Sequence, residues 1–169
     1  LGQRDAPRLA LDERHAEILL APAYPRGERP RAAVAPPGGT AEAPPAGTVD
    51  EGFNLNGIAA SDDGHRLIVG HFGRGALYTV DPEDGSNKLI KVTDSSGAPV
   101  TVTNVDGIVV RNDTLWAVQN FLNQVSRIEL HGSLGKGEVQ EVITSGNFDV
   151  PTTAALFGNT LALVNAKFA

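Results

Sequence analysis

Two side chains carry the strongest chemical signal in this sequence, and they carry it because they recur. Asn56 stands directly before Gly57-Ile58, and Asp106 directly before Gly107-Ile108. Asn54-Leu-Asn56-Gly57-Ile58 runs on to Leu67-Ile-Val and then to Leu77-Tyr-Thr-Val-Asp81. Asn104-Val-Asp106-Gly107-Ile108 runs on to Leu115-Trp-Ala and then to Val125-Ser-Arg-Ile-Glu129. The two glycines are 50 residues apart. An amide oxygen and a carboxylate are hard donors of the kind that suits Ca²⁺ or Mg²⁺. The plainer reading is turn chemistry, because Asn and Asp before Gly accept left-handed backbone. Recurrence in matched register favours a shared channel site, with Asn56 and Asp106 as candidate ligands of a hard cation.

What could position them is a repeated supersecondary unit. A period near fifty, with several short strands in each unit, is the pattern of β-propeller blades. The innermost strand of each blade runs along a central channel, so equivalent positions of successive blades converge on the axis. A partial third copy, Phe148-Asp-Val-Pro-Thr-Thr153, puts Pro151 or Thr152 at the third such point. A second register aligns His71, Gln119 and Asn165 at the far end of the strands that begin near Leu67, Leu115 and Leu161. Polar residues at one register could line a ligand-facing rim, or could merely begin a loop. Asn54, Asn104 and Asn120 are further candidates.

From Asp50 onward, alternating apolar and polar runs predict strands near 57–61, 66–71, 76–81, 88–92, 107–111, 114–119, 125–130, 138–143, 153–157 and 160–165. Asp62-Asp63-Gly64, Asp84-Gly85, Asn112-Asp113 and Gly158-Asn159 separate them with residues that suit tight hairpins. The expected fold is all-β, a partial propeller of about two and a half blades at 50–100, 101–146 and 147–169, the last stopping after its second strand. A closed propeller needs at least four blades, so the expectation is a piece of a longer protein. The chain opens on Leu1 and holds no methionine, which points the same way.

Residues 1–49 differ in kind. Ala, Pro, Arg and Gly fill 30 of those 49 positions, and 8 of the 11 prolines lie there. Proline at that density denies regular structure from Pro22 to Thr48. The segment reads as a low-complexity, disordered arm, or as a reading-frame artefact, since those four residue types share G/C-rich codons. Leu9 to Leu20 could form one short helix, with Leu11, Ile18 and Leu19 as a weak apolar face.

Composition narrows the function. There is no cysteine, which removes disulfides and thiolate metal sites. A net charge of −6 argues against a nucleic-acid partner, and no apolar run is long enough for a membrane span. The four histidines lack zinc-protease spacing, and neither a nucleophile elbow nor a phosphate-binding glycine loop is present.

Phe53-Asn-Leu-Asn-Gly-Ile58, Val105-Asp-Gly-Ile108, Asn120-Phe-Leu-Asn-Gln124 and Phe148-Asp-Val-Pro-Thr-Thr153 resemble the gluconolactonase, regucalcin and senescence-marker-protein superfamily of six-bladed propellers. The resemblance covers residues 50–169 and corresponds to the later blades. It implies one divalent cation in the channel, Ca²⁺ first and Zn²⁺ or Mg²⁺ as alternatives, with Asn56 and Asp106 among its ligands. It implies lactone hydrolysis with Asp106 as acid/base, and Asn120 and Thr152 on substrate hydroxyls. The family's early-blade glutamate ligand has no counterpart here, which leaves this chain alone without a full ligand set. The resemblance also implies a small lactone or sugar-derived substrate and a secreted or periplasmic location. A non-catalytic binding or scaffold propeller is the alternative.

Overall fold

The structure, a computed structural model, describes residues 50–168 together with the backbone of residues 8–9 and 17–22. The low-complexity character expected of the arm otherwise lies outside the described residues. Turn chemistry divides the chain as the sequence suggests. Strands β1 (Arg8–Leu9) and β2 (Glu17–Pro22) belong to the arm. They are followed by β3 (Leu55–Ala60), β4 (Leu67–His71), β5 (Ala76–Val80) and β6 (Asn87–Thr93). A second set comprises β7 (Val105–Arg111), β8 (Thr114–Gln119), β9 (Gln124–His131) and β10 (Lys136–Thr144), and the last two are β11 (Pro151–Phe157) and β12 (Thr160–Asn165). One 3₁₀ turn, Asn120–Leu122, interrupts the strands after β8. The fold is all-β, a partial β-propeller.

Each repeat is an antiparallel meander. β3-β4-β5-β6 form one four-stranded blade and β7-β8-β9-β10 the next. Their outermost strands, β6 and β10, touch in a short parallel ladder, Lys91 opposite Lys136. Alternation along each strand sends one row of apolar side chains to each face, and the blades bury those rows against each other. Ile68, Leu77, Ile90 and Val92 of the first blade pack on Val105, Ile108, Leu115, Ala117 and Ile128 of the second. Trp116, Val118, Val125 and Ile143 on the second blade's other face pack on Leu161 and Leu163 of the third.

The third blade departs from the expectation. It does not stop at β12: β2 pairs with β12 in parallel, Glu17 opposite Thr160, and β1 pairs with β2, giving the order β1-β2-β12-β11. Of the stretch from Leu9 to Leu20 that could form a short helix, the described residues, Leu9 and residues 17–20, are strand. The physical reason is the open edge of β12, a row of backbone donors and acceptors that an extended segment can satisfy.

The three innermost strands share one irregularity. Leu55 faces His71 while Ile58 faces Val69, so β3 carries one residue more than its partner between those pairs. The same extra residue lies between Val105 and Ile108 on β7 and between Pro151 and Thr153 on β11. This β-bulge falls on Asn56-Gly57, Asp106-Gly107 and Thr152. The glycines there are not turn residues, as Asn/Asp-Gly chemistry suggested. A Cβ on Gly57 would lie 2.1 Å from the Asp106 carbonyl oxygen, and one on Gly107 would lie 2.6 Å from Thr153 Cα. Each glycine lets two inner strands touch backbone to backbone.

Candidate functional site

A bulge re-aims the side chain it displaces, and three equivalent bulges on neighbouring inner strands aim three side chains at one place. Asn56, Asp106 and Thr152 line a single cavity of about 520 Å³, together with Asn54, Leu55 and Asn120. Four of the expected site residues, Asn56, Asp106, Asn120 and Thr152, are thus brought together from three blades.

Asp106 is the centre of the cluster. Asn120 Nδ2 donates to Asp106 Oδ2 at 3.0 Å, and Asn56 also makes a side-chain hydrogen bond to the carboxylate. Burial raises the Asp106 carboxyl above its ordinary value, with the hydrogen bonds from Asn120 and Asn56 opposing that rise. Among the described residues no cationic side chain lines the cavity. The charge is therefore held by two neutral amides. Asn120 is itself fixed, because it sits at the start of the 3₁₀ turn, is buried, and accepts the Phe121 N–H at 2.6 Å through Oδ1. Thr152 spends its hydroxyl on the Val164 carbonyl, at 3.4 Å.

His71, Gln119 and Asn165 occupy matched positions, opposite Leu55, Val105 and Pro151. All three are buried, and none lines the cavity. Their polar atoms reach the loop that leads into an inner strand. Gln119 Nε2 donates to the Thr103 carbonyl at 2.8 Å, and its oxygen accepts from Ser126 at 2.6 Å and Gln124 at 2.9 Å. Asn165 accepts the Asp149 N–H at 3.1 Å and donates to the Asn147 carbonyl at 2.9 Å. His71 Nδ1 accepts the Arg74 N–H at 3.3 Å, and its Nε2 lies 3.7 Å from Asp50. Asp50 is in turn clamped by Arg74 at 2.6 and 3.0 Å, which holds its carboxyl below the ordinary range.

The same loops are fastened through backbone at the next position. Phe72, Asn120 and Ala166 donate to the carbonyls of Asn54, Asn104 and Val150, at 2.8, 3.2 and 2.8 Å. Asn54 is a loop lock as well as a cavity residue: its amide bonds the Asp50 N–H and the carbonyls of Asp50 and Gly52. Asn104 takes φ 58°, which asparagine tolerates, while Val150 is held at φ 53°, where a β-branched residue is strained.

Sequence reasoning missed the aromatic side of the cavity. Phe53, Phe72, Phe121 and Phe168 complete the lining. Phe53 and Phe72 meet edge-on at 5.2 Å, and Phe72 and Phe121 at 6.2 Å. The available signal was position: Phe53 precedes Asn54, Phe72 follows His71 and Phe121 follows Asn120, each beside a landmark of the repeat.

A hydrated hard cation fits the residues present in part. Asn56 and Asp106 offer two side-chain oxygens from adjacent strands, and the desolvated carboxylate has unmet charge. Ca²⁺ takes six to eight oxygens and Mg²⁺ retains several waters, so other donors must complete either shell. Among the described residues no three His, Cys, Asp or Glu side chains form a metal-holding group. No described helix is long and apolar enough to cross a membrane.

No family model and no curated protein match the chain. Among solved structures it is similar to glutaminyl cyclase from Myxococcus xanthus, with 15% identity, a TM-score of 0.38 and 68% of each chain covered. A likeness that loose carries no inference about activity, so the chemistry of this site rests on its own side chains.

Proposed function

We propose that the inner-strand cavity is a divalent-cation-dependent hydrolase site of the lactone-opening type, completed by donors that these residues do not supply. The observation that supports it is the convergence of Asn56 and Asp106, at the same bulge of neighbouring inner strands, on one cavity with Asn120 and Thr152. When bound, the cation would polarise the substrate carbonyl and acidify a water. Asp106 would accept the proton of that water, because its carboxylate is half-buried and held in place by Asn120. Asn56 would add an oxygen without adding charge. Phe53 and Phe121 would shield the reacting carbonyl from bulk water.

The test has two parts. Ca²⁺ should raise the midpoint of a far-UV melt, because a ligand bound only by the folded state stabilises it, and EDTA should remove the gain. Turnover of a simple lactone, in an assembly with a complete ligand set, should fall at least a hundredfold in Asp106→Asn. Full turnover in that variant would sink the reading.

A non-catalytic binding module is the second reading, and the chain of edge-on phenylalanines favours it. Those rings offer an apolar ligand a surface that needs no chemistry. It predicts ligand binding indifferent to EDTA and to Asp106→Asn, but weakened by Phe121→Ala.

A further inference from the structure

The lining of the cavity around Asp106 is of two unlike kinds, and the polar part is nearly used up. Asn54 accepts the Asp50 N–H and donates to the carbonyls of Asp50 and Gly52. Asn120 donates to Asp106 and accepts the Phe121 N–H. Thr152 donates its hydroxyl proton to the Val164 carbonyl. The polar side chains left to meet a ligand are Asp106 and Asn56. The rest of the lining is Phe53, Leu55, Phe72, Phe121 and Phe168. Phe72 touches Phe53 and Phe121 edge-on, so three rings make one continuous surface across the first two blades. Phe53, Phe121 and Phe168 are 61%, 52% and 63% exposed. Exposed rings scattered singly need no explanation, whereas rings gathered around one concave site mark a surface that a ligand covers.

A ligand for this cavity therefore needs one polar end and an apolar body. We propose that the substrate is a lactone with an apolar substituent, its carbonyl at Asp106 and the substituent lying across Phe53, Phe72 and Phe121. The inference rests on the lactone-opening reading and narrows the substrate within it. A sugar-derived lactone fits these residues poorly. Its hydroxyls would leave water for phenylalanine rings, and burying a hydroxyl without a partner is costly. Asn120 and Thr152, which the sequence resemblance put on substrate hydroxyls, are engaged within the protein instead. An apolar substituent gains from the same rings, because each methylene it buries tightens binding severalfold.

Titration calorimetry on the full chain is the test, in EDTA so that no cation-dependent opening intervenes. The probes are γ-nonalactone, γ-butyrolactone and ribono-γ-lactone. They share one ring and differ in what it carries: a pentyl chain, hydrogen alone, or hydroxyl groups. γ-Nonalactone should bind about tenfold or more tighter than γ-butyrolactone, and ribono-γ-lactone no tighter than γ-butyrolactone. Phe121→Ala should cut the ratio of the first two affinities by about threefold or more. Should that variant lose its β-type circular dichroism, Phe53→Ala takes its place, with the same fall expected. Phe157→Ala removes an exposed ring that does not line the cavity. It should leave the ratio unchanged, which separates this site from indiscriminate adhesion of an oily chain. No binding of γ-nonalactone, equal affinities, tighter binding of ribono-γ-lactone, a ratio that survives loss of the cavity ring, or one that falls in Phe157→Ala would each overturn the inference. All of these are read from binding. Failure of the lactone-opening reading is read from turnover in Asp106→Asn, so the two failures are distinguishable.

Discussion

Two cavities lie at opposite ends of the first two inner strands, and their acids behave in opposite ways. The second, about 760 Å³, is lined by Ser61, Asp62, Asp63, His65 and Arg66, by Asn112 and Asp113, and by the turn at residues 130–134. By residue type it is the richer site, with three aspartates and two histidines. Two of its three aspartates are already spent. Asp63 accepts the Ser61 hydroxyl at 2.6 Å and the His65 N–H at 3.0 Å, which hold its carboxyl below the ordinary range. Asp62 accepts the Asn112 N–H and ties the β3–β4 turn to the β7–β8 turn. Asp106, at the other end, is raised by burial instead. Acidic side chains that close turns stabilise the fold, whereas the one held by neutral amides in a partly dry cavity closes no turn and is desolvated instead.

The sharpest way to break that contrast is to separate the inner strands. Gly107→Ala puts a methyl group into Thr153 backbone, at 2.6 Å from its Cα, and should cost about 3 kcal/mol in urea unfolding. Gly158→Ala, where nothing lies within 4 Å of the added methyl, should cost only what its positive φ imposes, about 1 kcal/mol. Equal losses would mean that the bulges do not rest on close approach.

A smaller effect tests whether the Asp106 end carries strain. Val150→Asn, which copies Asn104, should stabilise by about 1 kcal/mol, because asparagine relieves the left-handed backbone at φ 53°. An unchanged or lower denaturation midpoint would show that packing of Val150 outweighs its backbone.

The smallest effects are the most diagnostic, because their signs differ. Asp63 has a depressed carboxyl. Its contribution to stability is present above the ordinary carboxylate value and lost as pH falls through its folded value. Asp106 is raised, so its contribution is present at low pH and lost as pH rises through its folded value. Melting at pH 7 should therefore fall in Asp63→Asn and rise in Asp106→Asn, and both differences should fade in acid. Asp106→Asn should also lose any gain from Ca²⁺. If both variants shift the same way at pH 7, the two ends are not distinct environments.

The strands were legible because their boundaries are written in turn residues: Asp62-Asp63-Gly64 and Gly158-Asn159 punctuate alternating apolar runs wherever the structure has hairpins. The convergence of Asn56 with Asp106 was legible because repetition fixes register without any knowledge of contacts. The bulge was not, since an extra residue shows only against the partner strand, and the glycines looked like turn residues for the same reason. His71, Gln119 and Asn165 were found as a register, but the sequence could not say whether a polar strand end faces solvent or bonds a loop. The arm strand was hidden because β2 answers to β12, not to its neighbours, and Glu-Ile-Leu-Leu-Ala-Pro has no alternation to betray it. The phenylalanines escaped notice because apolar residues beside a polar landmark read as core.

The parallel pairing of β2 with β12 also sets a timetable. The first two blades are made of hairpins whose partners are neighbours along the chain, and local contacts of that kind form quickly. Glu17 finds Thr160 only after nearly all the intervening sequence has been made. During synthesis β2 must therefore wait while blades assemble behind it, and the docking of that one strand becomes the late, slow step of folding. A ribosome-bound chain would close its first two blades before β2 could reach β12.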